Sequence, residues 1–264
     1  MGCPLRAKFN YIDKIGGQQS AAASFGTAVH LALEIYNLKG GDVEAAKDIF
    51  LFAWDNPEEF GITPEYYYPR TSYGEYRERG IRFIQQYHEN NVWINRDIIG
   101  TEHRFCVNLG DHQISGIVDI IETDVGSNVL KIVDLKSGQR PNKSNLGYDI
   151  QFTAYMYAAT QKEFWCGYDD EKYIGFENGE ELYDRFKNHD IVGVWYDLRQ
   201  PKNQEYAVGP RTAKDVQRLN MAMDQIAKAI EHEVFVPNIS GDSCGLCSYH
   251  DICPVYTEPD FVKG

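Results

Sequence analysis

Two short runs near the middle of the chain leave little freedom in how they fold. Apolar and polar residues alternate from Gln113 to Asp119. A second run, Val129-Leu-Lys-Ile-Val-Asp-Leu-Lys136, follows the turn-rich segment Asp124-Val-Gly-Ser-Asn128. Alternation with period 2 is the signature of a strand, and Asp, Gly, Ser and Asn favour turns, so the two runs read as neighbouring strands of a β-hairpin. Asp119 ends the alternating part of the first strand. Asp134 and Lys136 stand two apart on the second and share one face. The pairing therefore brings two carboxylates and an ammonium group together. Carboxylate oxygens suit hard divalent cations, and the set as a whole suits hydrolysis of a phosphodiester. An Asp-X-Lys at a strand end is common as a solvated pair, so the assignment depends on what surrounds it.

The surroundings read as an α/β domain. Strands are expected at roughly 100–108, 112–122 and 129–136, then over Ile191–Leu198 and Glu205–Val208, with a turn from Pro201 to Gln204. Ser24 can cap a helix running to about Asn37, and Asp42 a second through about Trp54. A Pro/Gly-rich link from Asn56 to Pro69 contains Tyr66-Tyr-Tyr-Pro69, read as packing or loop. A long helix is expected from about Thr71 to Asn90, and a loop over Gly138–Asn145. Further helices are expected over 146–161, 179–188 and Arg211–Glu233. In the last, Val216, Leu219, Met223, Ile226 and Ile230 recur at helical spacing and read as core.

The length, 264 residues, fits one large domain, and 43% hydrophobic with 25% charged residues is ordinary for a soluble protein. No apolar run approaches a membrane span, and the first residues lack a signal-peptide core. Met1-Gly2 is not followed by Ser or Thr at position 6, where Arg6 stands, so the myristoylation pattern fails. A cytoplasmic location is expected. The formal net charge of −13 argues against tight non-specific coating of nucleic acid, which needs clustered Lys and Arg, but leaves room for a local basic groove. Candidates for one are Arg211, Lys214 and Arg218 on one face of the last helix, Arg6, Lys8 and Lys14 near the start, and the stretch from Lys136 to Lys143. The 18 Tyr, 13 Phe and 4 Trp include candidates for stacking on bases.

Six cysteines in a cytosolic chain point to metal or catalysis rather than disulfides. Cys106 and Cys166 lie in apolar or aromatic surroundings and read as core or incidental thiols. Cys244-x2-Cys247-x5-Cys253 places three soft ligands close together, followed by Pro254, and needs a fourth. Four thiolates hold either a [4Fe–4S] cluster or zinc, and His250 is an alternative ligand.

Gly26-Thr-Ala-Val-His30 lies in the first helical pattern and Gln151-Phe-Thr-Ala-Tyr155 in a helix after the hairpin. Gln151 and Tyr155, four apart, share a face. Taken in order with the acids, Lys136 and the cysteines, these motifs resemble the PD-(D/E)XK nuclease superfamily. More narrowly, they resemble its RecB-like branch with an iron–sulfur cluster, which includes AddB-type and CRISPR-associated exonucleases. The resemblance spans Cys3 to Pro254.

It implies a restriction-endonuclease-like α/β fold, a central mixed sheet flanked by helices. It implies a single nuclease domain over 1–264: a cluster region from 1–20 and 240–256, a helical part over 21–98, a catalytic sheet core over 99–210 and a long helix over 211–235. Lys136, Asp134 and Asp119 would be catalytic, with Gln151 and Tyr155 holding the DNA backbone or ordering the lysine. His30, Asp119, Asp134 and the backbone carbonyl of Leu135 would hold Mn²⁺ or Mg²⁺, the imidazole favouring Mn²⁺. Glu102, opening the first central strand, would be a metal ligand or a support to one. Cys3 would join Cys244, Cys247 and Cys253 around a [4Fe–4S] cluster that clasps the chain ends. The chain departs from the name of the family in having Val118 for the Pro, and it takes Asp134 as the second acid. A Gly-x-x-Asp form, here Gly116 to Asp119, is common in the RecB-like branch.

The function implied is a divalent-metal-dependent deoxyribonuclease, an exonuclease on single-stranded or end-opened DNA, in recombination, repair, phage DNA processing or CRISPR adaptation. A recombination, helicase or CRISPR-adaptation protein is the partner implied, and no membrane. The alternatives are a non-catalytic DNA-binding or assembly subunit stapled by a metal cluster, and a zinc-bearing nucleic-acid module. The intact Asp119, Asp134 and Lys136 argue against the first; for the second the acids would be fortuitous, and colour discriminates, an iron–sulfur protein being brown with absorbance near ~400 nm and a zinc protein colourless.

Overall fold

The hairpin is the centre of a mixed sheet in the computed structural model, which describes residues 3–17, 21–57, 72–91, 95–138, 143–167, 172–239, 244 and 247–257. Among the described residues five strands run in the order β1 (Arg96–Leu109), β2 (His112–Asp124), β3 (Val129–Lys136), β4 (Asp190–Asp197) and β5 (Glu205–Val208). β1–β2, β2–β3 and β4–β5 pair antiparallel, whereas β3 and β4 are parallel. A parallel pair needs a crossover, and the helices between β3 and β4 supply it.

Helices cover both faces. Before the sheet come α1 (Pro4–Ala7, running into a wider turn over Lys8–Ile12), α2 (Ala21–Leu38), α3 (Val43–Asp55) and α4 (Tyr73–Asn90). The crossover holds α5 (Lys143–Leu146), α6 (Ile150–Ala159), α7 (Lys162–Cys166) and α8 (Gly179–Phe186), and α9 (Ala213–Glu231) follows β5. Phe25, Val29, Leu33 and Tyr36 of α2 join Phe50 of α3 and Ile84 of α4 against Ile120, Val133, Leu135 and Val194 of the sheet. On the opposite face Tyr155 of α6, Phe164 and Trp165 of α7 and Leu219 of α9 pack on Val107, Val118, Ile121 and Ile132. Each side chain fully buried this way contributes about 1.5–3 kcal/mol, and the strand period decides which face receives it.

The helix starts show where local chemistry decides and where packing does. Asp42 accepts from Ala45 N at 3.0 Å and opens α3 as expected. Ser72 and Glu75 form a reciprocal capping box that opens α4. Ser24 does not cap α2, which begins at Ala21. Ser24 lies inside the helix and is buried, because an apolar face longer than the one expected continues upstream of it. The helix expected over 146–161 is broken. Gly147–Asp149 interrupt it, and Asp149 caps α6 through Phe152 N at 3.0 Å. α7 was not expected from the sequence. The Thr212–Asp215 capping box starts α9 at Ala213 and leaves Arg211 outside it.

The apolar stripe of α9 is core only in part. Leu219 is buried and Val216 and Met223 are half-buried, but Ile226 and Ile230 are 52% and 48% exposed. Burial along α9 thus falls away after Met223 among the described residues. Cys106 is buried, whereas Cys166 is exposed and is a surface thiol. Tyr66 to Pro69, and the side chain of Lys143, lie outside the described residues. No helix among the described residues is long and apolar enough to cross a membrane.

Candidate active site

The β2–β3 ladder runs as far as Ile120↔Val133 and then opens. One step further, Asp119 uses its side chain in place of the main chain: Oδ2 accepts from Leu135 N at 2.6 Å. Satisfying that amide with a carboxylate lets the strand ends part while keeping the buried N–H paired. Asp134, only 3% exposed, stands on the face away from Leu135, and Lys136 Nζ lies 2.6 Å from its Oδ2. Lys136 Nζ also sits 5.4 Å from the ring centre of Trp195, the residue paired with Asp134 on β4.

β1 brings a third carboxylate. Its pairing with β2 passes from Thr101↔Ile120 to His103↔Val118, skipping Glu102, whose φ is +46°. A non-glycine residue in this left-handed region is strained by about 1–3 kcal/mol, and here the kink turns the Glu102 carboxylate toward Asp119. Glu102 therefore lies within β1, which starts at Arg96, and does not open it. α2 supplies His30. Its neighbours Val29 and Leu33 anchor the helix in the core, and Gly26 lets it approach the end of β3: a Cβ there would stand 3.3 Å from Ser137 Oγ. His30 Nδ1 is 3.6 Å from Asp119 Oδ1 and 3.9 Å from Glu102 Oε1. One donor atom from each of the three side chains lies within 4.8 Å of the others.

These groups are crowded and short of positive charge. Burial pushes the Glu102 carboxyl up to about 7, with the Asp119 and Glu34 charges adding and Arg104 opposing. Burial also raises Asp119 and Asp134; Lys136 opposes both, and the Leu135 amide opposes in Asp119. Burial lowers His30, which favours the neutral, ligating form of the imidazole, while Asp134 and the backbone of Leu135 pull the other way. Desolvated carboxylates beside a neutral imidazole form a donor set that fits a divalent cation, with oxygen for Mg²⁺ and a mixed O/N set for Mn²⁺.

α6 closes the site from the other side. Gln151 Nε2 donates to Asp134 Oδ1 at 3.2 Å and to Tyr155 OH at 2.8 Å. The helix lies close because two glycines make room. A Cβ on Gly116 would come 2.9 Å from the Phe105 ring and 3.2 Å from that of Tyr155, and one on Gly193 would come 2.5 Å from Phe152. Gly116 of the Gly-x-x-Asp run thus has a steric reason.

His30, Asp119, Asp134, Leu135, Lys136, Gln151 and Tyr155 all come together here, and Glu102 joins them. Two neighbours were not anticipated. Trp195 required the β3–β4 register, which sequence does not reveal. Glu34 was readable: it follows His30 by four residues on the same helix, so its charge reaches Glu102.

The chain ends also meet. Tyr249 is buried, its hydroxyl 3.0 Å from Ile15 O and 3.3 Å from Asn10 Oδ1, its ring 5.4 Å from that of Phe9. Asn238 touches two of the cysteines: its N–H donates to Cys3 Sγ at 3.3 Å and its carbonyl lies 3.8 Å from Cys244 Sγ. Burial raises the Cys3 thiol, but backbone donors from Arg6, Asn238 and Leu5 outweigh this and hold it below its ordinary value, toward the thiolate that ligates metal. Among the described residues no three cysteine sulfurs lie within 4.8 Å of one another.

Two members of the basic row on the last helix have partners within the protein. Arg211 is committed to Thr153 Oγ1 at 2.9 Å and to the carbonyls of Leu146 at 2.8 Å and Asp149 at 3.3 Å, and Arg218 pairs with Asp215 at 3.1 Å. Lys8 likewise pairs with Asp13 at 2.6 Å.

A model of the PD-(D/E)XK nuclease superfamily matches residues 1–254 of the chain. No curated protein matches it.

Proposed function

The chain belongs to the PD-(D/E)XK nuclease superfamily, whose members are nucleases that use divalent metals, and from that premise we propose that it is a DNA exonuclease of the RecB-like kind. It acts on single-stranded or end-opened DNA in the cytoplasm, in recombination, repair, phage DNA processing or CRISPR adaptation, as one nuclease domain. The observation that carries the reading is the convergence of His30, Glu102 and Asp119 within 4.8 Å beside the Asp134–Lys136 pair.

His30, Glu102, Asp119, Asp134 and the Leu135 carbonyl would hold Mn²⁺ or Mg²⁺. When bound, the ion supplies Lewis acidity toward the phosphate and eases ionisation of the attacking water. Lys136 orients that water and stabilises the negative charge that grows on the phosphate oxygens. Asp134 and the Trp195 ring fix the ammonium group in place. Gln151 holds the second oxygen of Asp134, and Tyr155 anchors Gln151 in turn.

Cys3, Cys244, Cys247 and Cys253 would ligate a [4Fe–4S] cluster that clasps the chain ends without taking part in cleavage. The contacts of Cys3 and Cys244 with Asn238 favour this, since they bring the N-terminal cysteine and one of the C-terminal three to the same residue.

The test is cleavage of end-labelled single-stranded and duplex DNA by anaerobically purified protein with Mn²⁺, beside Lys136→Ala. Stepwise shortening from one end, lost in the variant, is expected. Intact DNA with the wild-type protein in both Mn²⁺ and Mg²⁺ would turn the reading toward a binding subunit.

A further inference from the structure

Tyr148 is 73% exposed although the turn that carries it is held from several sides. Its own N–H donates to Asn145 O at 2.9 Å, and Asp149 N donates to Leu146 O at 3.4 Å. Arg211 reaches across from the segment before α9 and binds the carbonyls of both Leu146 and Asp149. The Arg218 guanidinium lies 5.8 Å from the centre of the Tyr148 ring and is itself held by Asp215 at 3.1 Å. Beside the ring is a hollow of about 150 Å³ lined also by Ile150, Thr153 and Leu219.

The place of Tyr148 relative to the site suggests a use. Tyr148 precedes Gln151 by three residues, so their Cα atoms are at most about 11 Å apart along the chain. Gln151 touches Asp134 of the candidate active site. That bound puts Tyr148 within reach of a short run of nucleotides from a phosphate at Lys136. An aromatic face with a cation at it is what an unpaired base and its backbone meet in single-strand binding sites. In a duplex the base faces are covered by their neighbours and offer this ring nothing.

We infer that Tyr148, backed by Arg218, is a stacking platform for an unpaired base of the DNA strand entering the site, and that it makes the site favour single-stranded over fully paired DNA. The inference rests on the nuclease reading for its substrate but is tested by binding. The probe is a short fluorescein-labelled oligothymidylate, and the comparison a blunt-ended hairpin closed by a non-nucleotide linker so that it has no unpaired base, with Mn²⁺ and Lys136→Ala as background to prevent cleavage. Adding Tyr148→Ala is expected to weaken single-strand binding by roughly 5- to 100-fold and leave the hairpin unaffected. Tyr148→Phe and Tyr148→Trp should keep most of the affinity. A single abasic nucleotide moved along the strand should reproduce the loss at one position, and there Tyr148→Ala should add nothing further.

Unchanged single-strand affinity in Tyr148→Ala, equal losses on strand and hairpin, or the absence of any sensitive position would overturn the platform. Cleavage by the parent protein separates the two readings. If it cuts DNA in a Lys136-dependent way while Tyr148→Ala is silent, the platform alone fails. If it never cuts but the stacking pattern holds, the platform stands and the nuclease reading fails.

Discussion

Glu102 is both held in the left-handed backbone region and raised by burial. Its carboxyl rises from an ordinary 4.5 to about 7, burial first and Asp119 and Glu34 next. A carboxyl raised in the folded state contributes stability that is full below its unfolded value and is lost as pH rises through the folded one. The metal-free protein should therefore lose thermal stability between about pH 5 and pH 8. Glu102→Gln should flatten that slope, and Mn²⁺ at pH 8 should restore the wild type more than the variant, all measurable by thermal melts with and without chelator. The same protons compete with the cation, so Mn²⁺ affinity should fall as pH drops below about 7. At this scale the sequence was informative: the Asp119, Asp134 and Lys136 constellation, His30, Gln151 and Tyr155 were readable from spacing and from the family resemblance. The left-handed kink at Glu102 was not, because nothing in Thr101-Glu-His103 signals a skipped ladder pair. Neither was Trp195, whose place depends on a parallel register set by a distant crossover.

Among the elements, α6 decides how firmly the site is assembled, and two glycines decide how closely α6 lies. Gly116→Ala would force apart Phe105 and Tyr155, and Gly193→Ala would displace Phe152 from 2.5 Å. Overpacking of this kind costs about 1–3 kcal/mol, visible in urea unfolding. It should also loosen Gln151 from Asp134 and lower the cleavage rate while Mn²⁺ binding to the folded protein stays near wild type. Loss of metal binding in equal measure would mean that the sheet ends, and not α6, had moved. Element existence was legible where a cap and an apolar period agreed, as at Asp42. It was misread where they did not. Ser24 had the chemistry of a cap, but the buried face of α2 runs past it, and Asp149 is a cap that splits an otherwise helical pattern. The stripe on α9 had the right period for core, but period reports only amphipathicity. Whether a partner surface extends far enough to bury Ile226 and Ile230 is a property of the sheet.

For the whole molecule the chain ends matter most. Tyr249 packs on Phe9 and Ile15, and Asn238 joins Cys3 to Cys244, so a cluster there would lock contacts the fold already makes. Anaerobically purified protein should be brown, with absorbance near ~400 nm. Cys3→Ser should bleach it and lower the melting temperature while leaving Mn²⁺ binding at His30 measurable in the protein that remains folded. A colourless protein holding stoichiometric zinc would replace the iron–sulfur assignment. The Cys244-x2-Cys247-x5-Cys253 spacing was legible, but the meeting of Cys3 with Cys244 belongs to the tertiary fold. The spacing of Arg211 with Lys214 and Arg218 was equally plain, but Arg211 ties α6 to the segment before α9.

The central claim is that His30, Glu102 and Asp119 form a divalent-metal site, and the most direct measurement is titration of Mn²⁺ followed by electron paramagnetic resonance of the free ion. Wild type, His30→Ala, Asp119→Asn and Lys136→Ala would be compared at pH 8. The account predicts saturable binding in the wild type, weakening of at least tenfold in His30→Ala and Asp119→Asn, consistent with loss of a ligand worth more than about 1.4 kcal/mol, and retention in Lys136→Ala. Mn²⁺ affinity that is the same in all four proteins would contradict it.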